Sequence, residues 1–184
     1  MHYLLELVGS SIVGSFVFLM ILQLNTMILE SNTTMGIEKI TQSNMTTLVE
    51  EIEYDFRKIG YGATGQKILT ADTTSIFYLC DIDLNGNVDT VGYTTSDTTV
   101  AVFSPNPKDI LLYRFVNGVP ITMTNNMGVT DFILLYYTEN GTQTNNPADV
   151  RYIKFMLSLE SQFAYGEEYS ASYIERTIQP NNLR

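Results

Sequence analysis

The chain of 184 residues has a formal net charge of −10 at pH 7 and a pI near 4.4. Such an acidic surface repels the phosphate backbone of nucleic acids, so we expect no nucleic-acid partner. A single cysteine, Cys80, excludes an intrachain disulfide, so the fold must be stabilised by its core or by neighbouring subunits.

An apolar segment opens the chain. Residues 7–24 carry no charged side chain, and Glu6 stands directly before them. A helix of this length spans about 27 Å, which is close to the hydrocarbon core of a bilayer. No Lys or Arg precedes Lys39 and no small-residue cleavage site follows, so the sequence predicts no removable signal peptide. We expect residues 1–30 to form a helix that is either a membrane anchor or part of a packed helical core.

The apolar pattern continues with a helical period after Thr26. Apolar residues recur at spacings of mostly three or four: Ile37, Ile40, Met45, Leu48, Ile52, Phe56 and Ile59. This spacing is typical of an amphipathic helix. Gly60 and Gly62 then favour termination. The sequence therefore predicts one helix to about Ile59, with residues 31–60 as its amphipathic continuation.

Residues 61–184 are expected to form an antiparallel β-sheet domain. The predicted strands are Ser75–Cys80, Val88–Thr95, Val100–Phe103, Ile110–Val116, Val119–Met123, Val129–Thr138, Val150–Glu160 and Tyr169–Gln179. The pairs Asn85-Gly86 and Asn117-Gly118 are typical of hairpin turns. The fold class is α+β, in which one long helix packs on an antiparallel sheet of about five to seven strands.

The order of these parts resembles a type IV pilin or a pseudopilin. The opening Tyr3-Leu4-Leu5-Glu6-Leu7-Val8 is similar to the mature start of that family, where a lone glutamate precedes an apolar helix. Further segments resemble the minor-pilin subgroup: residues 53–61, 81–87 and 176–183, and Tyr113-Arg114 before the second turn. The similarity spans most of the chain.

The resemblance implies a structural subunit that polymerises helically through its apolar helix. The assembly residues that it implies are Glu6, Leu7, Gly9, Ile12, Gly14, Phe16, Phe18 and Leu22. The Glu6 carboxylate would meet the N-terminal amine of a neighbouring subunit, which would relieve its burial. The alternative is a carboxylate at the membrane surface that is stabilised by the helix dipole. Small residues such as Gly9 and Gly14 allow helices to approach closely in either setting.

The expected partners are copies of the chain itself, inner-membrane lipid before assembly, and the pilus assembly machinery. The expected location is an extracellular filament on the cell surface, reached through the inner membrane. Two alternatives stay open at this point. One is a minor or tip pilin, or a pseudopilin, that primes assembly. The other is a monomeric, membrane-anchored binding domain outside the cytoplasm.

A candidate calcium site follows the first predicted strand. Oxygen-bearing side chains alternate along this segment: Asp81, Asp83, Asn85, Asn87 and Asp89. The first six positions match a calcium-binding loop, with Gly86 at its sharp turn. Gly92, however, occupies the place where such loops carry a bidentate glutamate. The sequence leaves open whether this loop binds calcium or is a hairpin whose polar residues face water.

The N-x-T sequence motif occurs at Asn32, Asn44 and Asn140. Such motifs accept N-linked sugars on exposed surfaces. The first two lie on the predicted helix, where packing would exclude a sugar. Asn140 lies in a predicted loop and is the best candidate.

Little in the chain supports catalysis. His2 is the only histidine, so no histidine-based triad or zinc site can form in the sheet domain. No phosphate-binding or dinucleotide-binding glycine motif occurs. Cys80 lies in an apolar predicted strand, which favours a buried, inert thiol. We therefore expect a protein that is not an enzyme and needs no cofactor, and calcium binding by the loop stays open.

Overall fold

The computed structural model describes residues 2–101, 104–122, 128–166 and 168–183. The chain divides into two compact units, residues 1–37 and residues 38–184, which we call the apolar unit and the sheet unit. Helix α1 (His2–Arg57) supplies all the described residues of the apolar unit and the first part of the sheet unit. The predicted helix is therefore confirmed.

The helix ends where the glycines predict. A turn follows Arg57, and Gly60 and Gly62 adopt φ angles of 79° and 71°. Side chains with a Cβ avoid this left-handed region, whereas glycine enters it freely. The chain then turns back toward the sheet, because Gly60 N–H donates to the carbonyl of Leu79 over 2.8 Å.

In the apolar unit, the hydroxyl groups are bonded to the helix itself. Ser10, Ser11, Ser15 and Thr26 each donate to a carbonyl three or four residues earlier, at 2.8–3.1 Å. These bonds satisfy polar groups that would otherwise require water. The outer surface of this segment is consequently formed mainly by apolar atoms.

The sheet unit contains two antiparallel sheets. Their strands are β1 (Ile68–Ala71), β2 (Ser75–Cys80), β3 (Asp89–Thr95), β4 (Leu112–Val116), β5 (Val119–Thr122), β6 (Val129–Tyr137), β7 (Tyr152–Glu160) and β8 (Ala171–Ile178). The first sheet has the order β1-β2-β3-β4-β5, and the second has the order β6-β7-β8. Within each sheet, every strand thus pairs with its neighbours in sequence.

The expectation of a single sheet was wrong. The first sheet ends at β5, where Pro120 lies opposite Phe115. Proline has no N–H to donate to a further strand, so it is confined to sheet edges. Strands β6–β8 therefore form a separate sheet. Two backbone hydrogen bonds connect it to the segments that flank strands of the first sheet: Ile110 N–H donates to the Val129 carbonyl, and Leu134 N–H donates to the Thr73 carbonyl.

One other strand prediction needs correction, and one strand was missed. Val100 ends a short 3₁₀ helix, Thr98–Val100, which Asp97 caps by accepting from Thr99 N–H. This local side-chain bond favours a helical turn over an extended strand. Residues 102–103 and Met123, which complete two predicted strands, lie outside the described residues. Strand β1 was not predicted, because it has only four residues.

The core of the sheet unit forms around Phe56 of α1. Its ring lies edge-on to Tyr93 and Tyr78 of the first sheet, at centroid distances of 5.6 and 6.2 Å. It also lies edge-on to Phe155 of the second sheet, at 6.0 Å. Met45 and Ile52 of α1 are buried in the same core. The amphipathic part of the helix therefore packs against both sheets.

Candidate functional site

The predicted assembly residues lie on α1 with their side chains exposed to solvent. Phe16 and Phe18 are 60% and 61% exposed. No residue in the most apolar 18-residue window of the helix is buried, and the helix is long and apolar enough to cross a membrane. Soluble monomers rarely expose a contiguous apolar surface of this kind. This surface is the main candidate functional site of the protein.

A shallow groove runs along one side of the apolar helix. It has a volume of about 190 Å³ and is lined by Ser11, Ile12, Ser15, Phe16 and Leu19. Serines are small enough to let a neighbouring helix approach closely. Outside this groove, Gly9 and Gly14 are open to solvent, because a Cβ at either position would meet no atom beyond the neighbouring helix backbone within 4 Å. The helix surface can therefore accept large apolar side chains from a partner.

Glu6 is exposed near the start of α1. None of the ion pairs found among the described residues includes Glu6. The first turn of the helix contains no acidic residue, so Glu6 lies beyond it. The helix dipole acts mainly within the first turn and stabilises Glu6 weakly. Burial of this carboxylate in lipid or protein would require a cationic partner.

The acidic loop, residues 81–89, joins β2 to β3 and includes the first residue of β3. The structure brings together three of the predicted calcium ligands, Asp81, Asp83 and Asp89, with carboxylate oxygens within 4.8 Å of one another. Asp81 and Asp89 are buried, and Asp83 is exposed. Carboxylate oxygens at this spacing can bind a hard cation such as calcium. Asn85 instead bonds Asp83 through its amide, and Asn87 is exposed.

The same carboxylates already accept hydrogen bonds within the loop. Asp81 accepts from the N–H groups of Asn85 and Gly86 at 3.0 and 2.8 Å. Asp89 accepts from Ile82 N–H at 3.3 Å and from the amide of Asn117 at 2.7 Å. These hydrogen bonds stabilise the loop in its described conformation. Calcium binding remains a prediction.

Gly92 cannot be replaced by the missing calcium ligand without rearrangement. It lies opposite Phe77 in the β2–β3 pair. A Cβ on Gly92 would lie 2.2 Å from the Phe77 ring. Glycine at this position is therefore explained by packing against an aromatic side chain.

Sequence reasoning missed a buried polar cluster that links α1 to the first sheet. Asp55 is 1% exposed and accepts from Arg114 Nε at 2.5 Å and from the Tyr93 hydroxyl at 2.7 Å. Arg114 Nη2 also donates to Asp55 at 3.3 Å. A single acid on the buried face of an amphipathic helix was the only indication of this cluster in the sequence. It joins two of the segments that carry the pilin resemblance, 53–61 and Tyr113-Arg114.

The cluster shifts the acid–base behaviour of its members. Burial lowers the pKa of Arg114, but the hydrogen bond and the charge of Asp55 outweigh burial and raise that pKa above its ordinary value. Burial, followed by the charge of Asp55, raises the pKa of Tyr93 well above its usual range. Arg114 is therefore charged and Tyr93 neutral at physiological pH. The cluster fixes the helix on the sheet.

Cys80 is buried, as the sequence predicts. Burial, and secondarily the charges of Asp55 and Asp89, raise the pKa of its thiol to about 12. The thiolate is the reactive form of cysteine, and it is scarce at neutral pH for this side chain.

Asn140 is exposed in the turn that follows β6. The adjacent Gly141 has a φ angle of 77°, which a tight turn requires. Asn32 is exposed on α1, and Asn44 is half-buried on the same helix. Glycosylation at Asn140 remains a prediction.

Comparisons of the chain with protein-family models, with curated proteins and with solved structures found no match.

Proposed function

We propose that the protein is a structural subunit of an extracellular, type IV pilus-like filament that polymerises helically through its apolar helix. The observation that supports this proposal is the solvent exposure of the entire apolar segment. Association through one helix surface and a different surface of the next copy is heterologous, which produces an open polymer. Lipid of the inner membrane covers the helix before assembly, and the assembly machinery transfers the subunit to the filament.

The extent of the exposed apolar surface favours a protein partner over lipid alone. Large apolar side chains are exposed from Tyr3 to Leu29 along α1, before the polar residues 30–34. At 1.5 Å per residue this stretch is about 40 Å long. The hydrocarbon core of a bilayer is about 30 Å thick, so an upright helix would leave part of the stretch uncovered. Helices of neighbouring copies can cover the full length.

Glu6 provides the test of this proposal. In a filament core, its carboxylate would pair with the N-terminal amine of a neighbouring copy and fix the axial register. The experiment is electron microscopy of material sheared from cells that produce the protein. We expect long filaments of the wild-type chain, and a loss of filaments in Glu6→Ala because the amine then lacks its partner.

Glu30→Ala is the matched control, because Glu30 is also an exposed glutamate of α1. We expect Glu30→Ala to form normal filaments. The thermal unfolding of the sheet unit should be the same in both variants and in the wild-type chain. Normal filaments from Glu6→Ala would contradict the role of Glu6 in assembly.

The second candidate is a membrane-anchored monomer, which the length and apolar character of α1 favour. It predicts detergent-soluble monomers and no filaments in the same experiment. A third outcome, in which the chain is found in trace amounts or only at filament tips, would indicate a minor pilin that primes assembly.

A further inference from the structure

A half-open cavity of about 330 Å³ lies in the sheet unit, apart from the helix surface and the acidic loop. Its wall includes Lys67, Ile68, Pro147, Val150, Arg151 and Leu183. Cavities that bind small ligands begin at about 300 Å³, so the size suits one side chain or a small molecule. Its lining combines two cations with apolar side chains.

Lys67 is held in place by its surroundings. Its ammonium group donates a hydrogen bond to the carbonyl oxygen of Asn182. Its aliphatic stem occupies the space beside Gly60, where a Cβ would lie 2.6 Å from Lys67 Cδ. An ammonium group has three N–H donors, so two donors remain for a ligand.

Arg151 is fixed in a similar way. Its Nη1 donates to the carbonyls of Ala148 and Val150 at 3.1 and 2.9 Å, and its backbone N–H donates to Tyr137 at 2.8 Å. The guanidinium group has five N–H donors in a rigid fork. The Nε and Nη2 donors make no bond to a described residue and remain for a ligand.

Neither cation is neutralised within the described part of the chain. The ion pairs found there do not include Lys67 or Arg151. Asp149, the acid nearest to Arg151 in sequence, instead accepts a hydrogen bond from Asn146 at 2.8 Å. Lys67 and Arg151 both line this cavity, and the hydrogen bonds found for their charged groups within the described residues go to backbone carbonyls.

We propose that this cavity binds a carboxylate side chain from a second copy of the chain. The fork of a guanidinium group matches the geometry of a carboxylate, and the ammonium group adds a second charge. Ile68 and Val150 provide an apolar wall for the stem of an acidic side chain. Because each copy has a net charge of −10, acidic groups are abundant on its neighbours. The inference rests on the proposed polymerisation and names a second contact within it.

The first experiment measures carboxylate binding directly. The full chain in detergent is titrated with acetyl-glutamate methylamide, and the backbone amide signals of residues 65–68 and 148–151 are followed by NMR. We expect saturable shifts with this probe and none with acetyl-glutamine methylamide. Lys67→Gln/Arg151→Gln should weaken binding about tenfold or more, because both charges are removed.

Two further variants serve as controls for this titration. Lys39→Gln removes an exposed cation of α1 outside the cavity and should bind like the wild-type chain. Arg151→Gln alone leaves the Lys67–Asn182 bond intact, so it should lose affinity with a smaller change in melting temperature than the double variant. Absence of saturable shifts in the wild-type chain would overturn the proposal.

The second experiment identifies the source of the carboxylate. We expect Lys67→Gln/Arg151→Gln to reduce filament yield about tenfold, and Lys39→Gln to leave it unchanged. Normal filaments from the double variant, together with probe binding, would show that the site takes a free carboxylate and would overturn the role of a second copy. Absence of filaments from the wild-type chain would overturn the proposed polymerisation, while the titration would still decide whether the cavity binds a carboxylate.

Discussion

Phe16 and Phe56 are phenylalanines of the same helix with opposite surroundings. Phe16, in the apolar unit, is 60% exposed, and Phe56, in the sheet unit, is fully buried. The partners of Phe56 lie within the chain, on both sheets. Phe16 is not enclosed by described residues, and under the proposed function lipid or another copy would cover it. Apolar character alone therefore does not indicate whether a residue is buried within its own chain.

The largest expected effect comes from exchanging each phenylalanine for alanine. Phe56→Ala should lower the free energy of unfolding of the sheet unit by about 4 kcal/mol, because a fully buried ring is lost. Phe16→Ala should leave that free energy unchanged and reduce filament yield. Urea unfolding in detergent and electron microscopy measure the two quantities. A large decrease in the unfolding free energy of the sheet unit in Phe16→Ala would contradict this difference between the two units.

Asp55→Ala should have the next largest effect. The substitution leaves Arg114 largely buried without its carboxylate partner. Loss of one member of such a pair costs about 3 kcal/mol of stability or more. Glu50→Ala, at an exposed position of the same helix, serves as the control and should change stability little. Equal unfolding free energies for the two variants would contradict the role of the buried cluster.

Calcium provides a smaller test within the sheet unit. If the three carboxylates of the acidic loop bind calcium, a tenfold excess over the dissociation constant should stabilise the fold by about 1.4 kcal/mol. The melting temperature should rise in calcium, and the rise should disappear in Asp81→Ala. Asp72→Ala, at an exposed acid outside the loop, should keep it. An unchanged melting temperature in excess calcium would end this prediction.

The smallest effect concerns Asp109, which is fully buried. One of its carboxylate oxygens bonds the Ser104 hydroxyl, and the other accepts no hydrogen bond from the described residues. Burial raises the pKa of Asp109, the bond from Ser104 opposes the rise, and the charge of Glu160 adds to it. Lys108, the adjacent cation, pairs with Glu160 at 2.7 Å.

The raised pKa determines the direction of the pH effect. The folded state keeps this proton at pH values where the unfolded chain has lost it, so this contribution to stability is complete below the unfolded pKa. It is lost as the pH rises through the folded pKa. Asp109→Asn should therefore raise the unfolding free energy at pH 7 by about 1 kcal/mol. The melting temperature of Asp109→Asn should therefore change less between pH 4 and 7 than that of Asp131→Asn, an exposed control.

Local patterns in the sequence predicted most of the regular elements. The helical period predicted α1, and the glycines predicted its end. Asn117-Gly118 forms the predicted turn, with φ angles of 52° and 78°. Strands such as β2, Ser75–Cys80, were predicted to the residue. These features depend on neighbours that are close in sequence.

Features that depend on distant residues could not be predicted in this way. Asp55 and Arg114 are 59 residues apart, and no local period pairs them. The division into two sheets depends on the position of β5, with Pro120, at the edge of the first sheet, and strand order is not a local property of the sequence. For the acidic loop, the spacing identified the carboxylates as candidate calcium ligands and left a plain hairpin as the alternative. The spacing could not show that backbone N–H groups already occupy part of their capacity.

The hydroxyl groups of the apolar helix have a consequence for its movement between surroundings. Ser10, Ser11, Ser15 and Thr26 keep their hydrogen bonds within the helix. Transfer from a bilayer to a bundle of helices breaks no bond at these positions, so their polar groups add nothing to the barrier. Within residues 6–26, the polar side chains that make no such bond to a described residue are Glu6, Gln23 and Asn25. These three groups, together with the quality of packing, therefore decide which apolar medium the helix prefers.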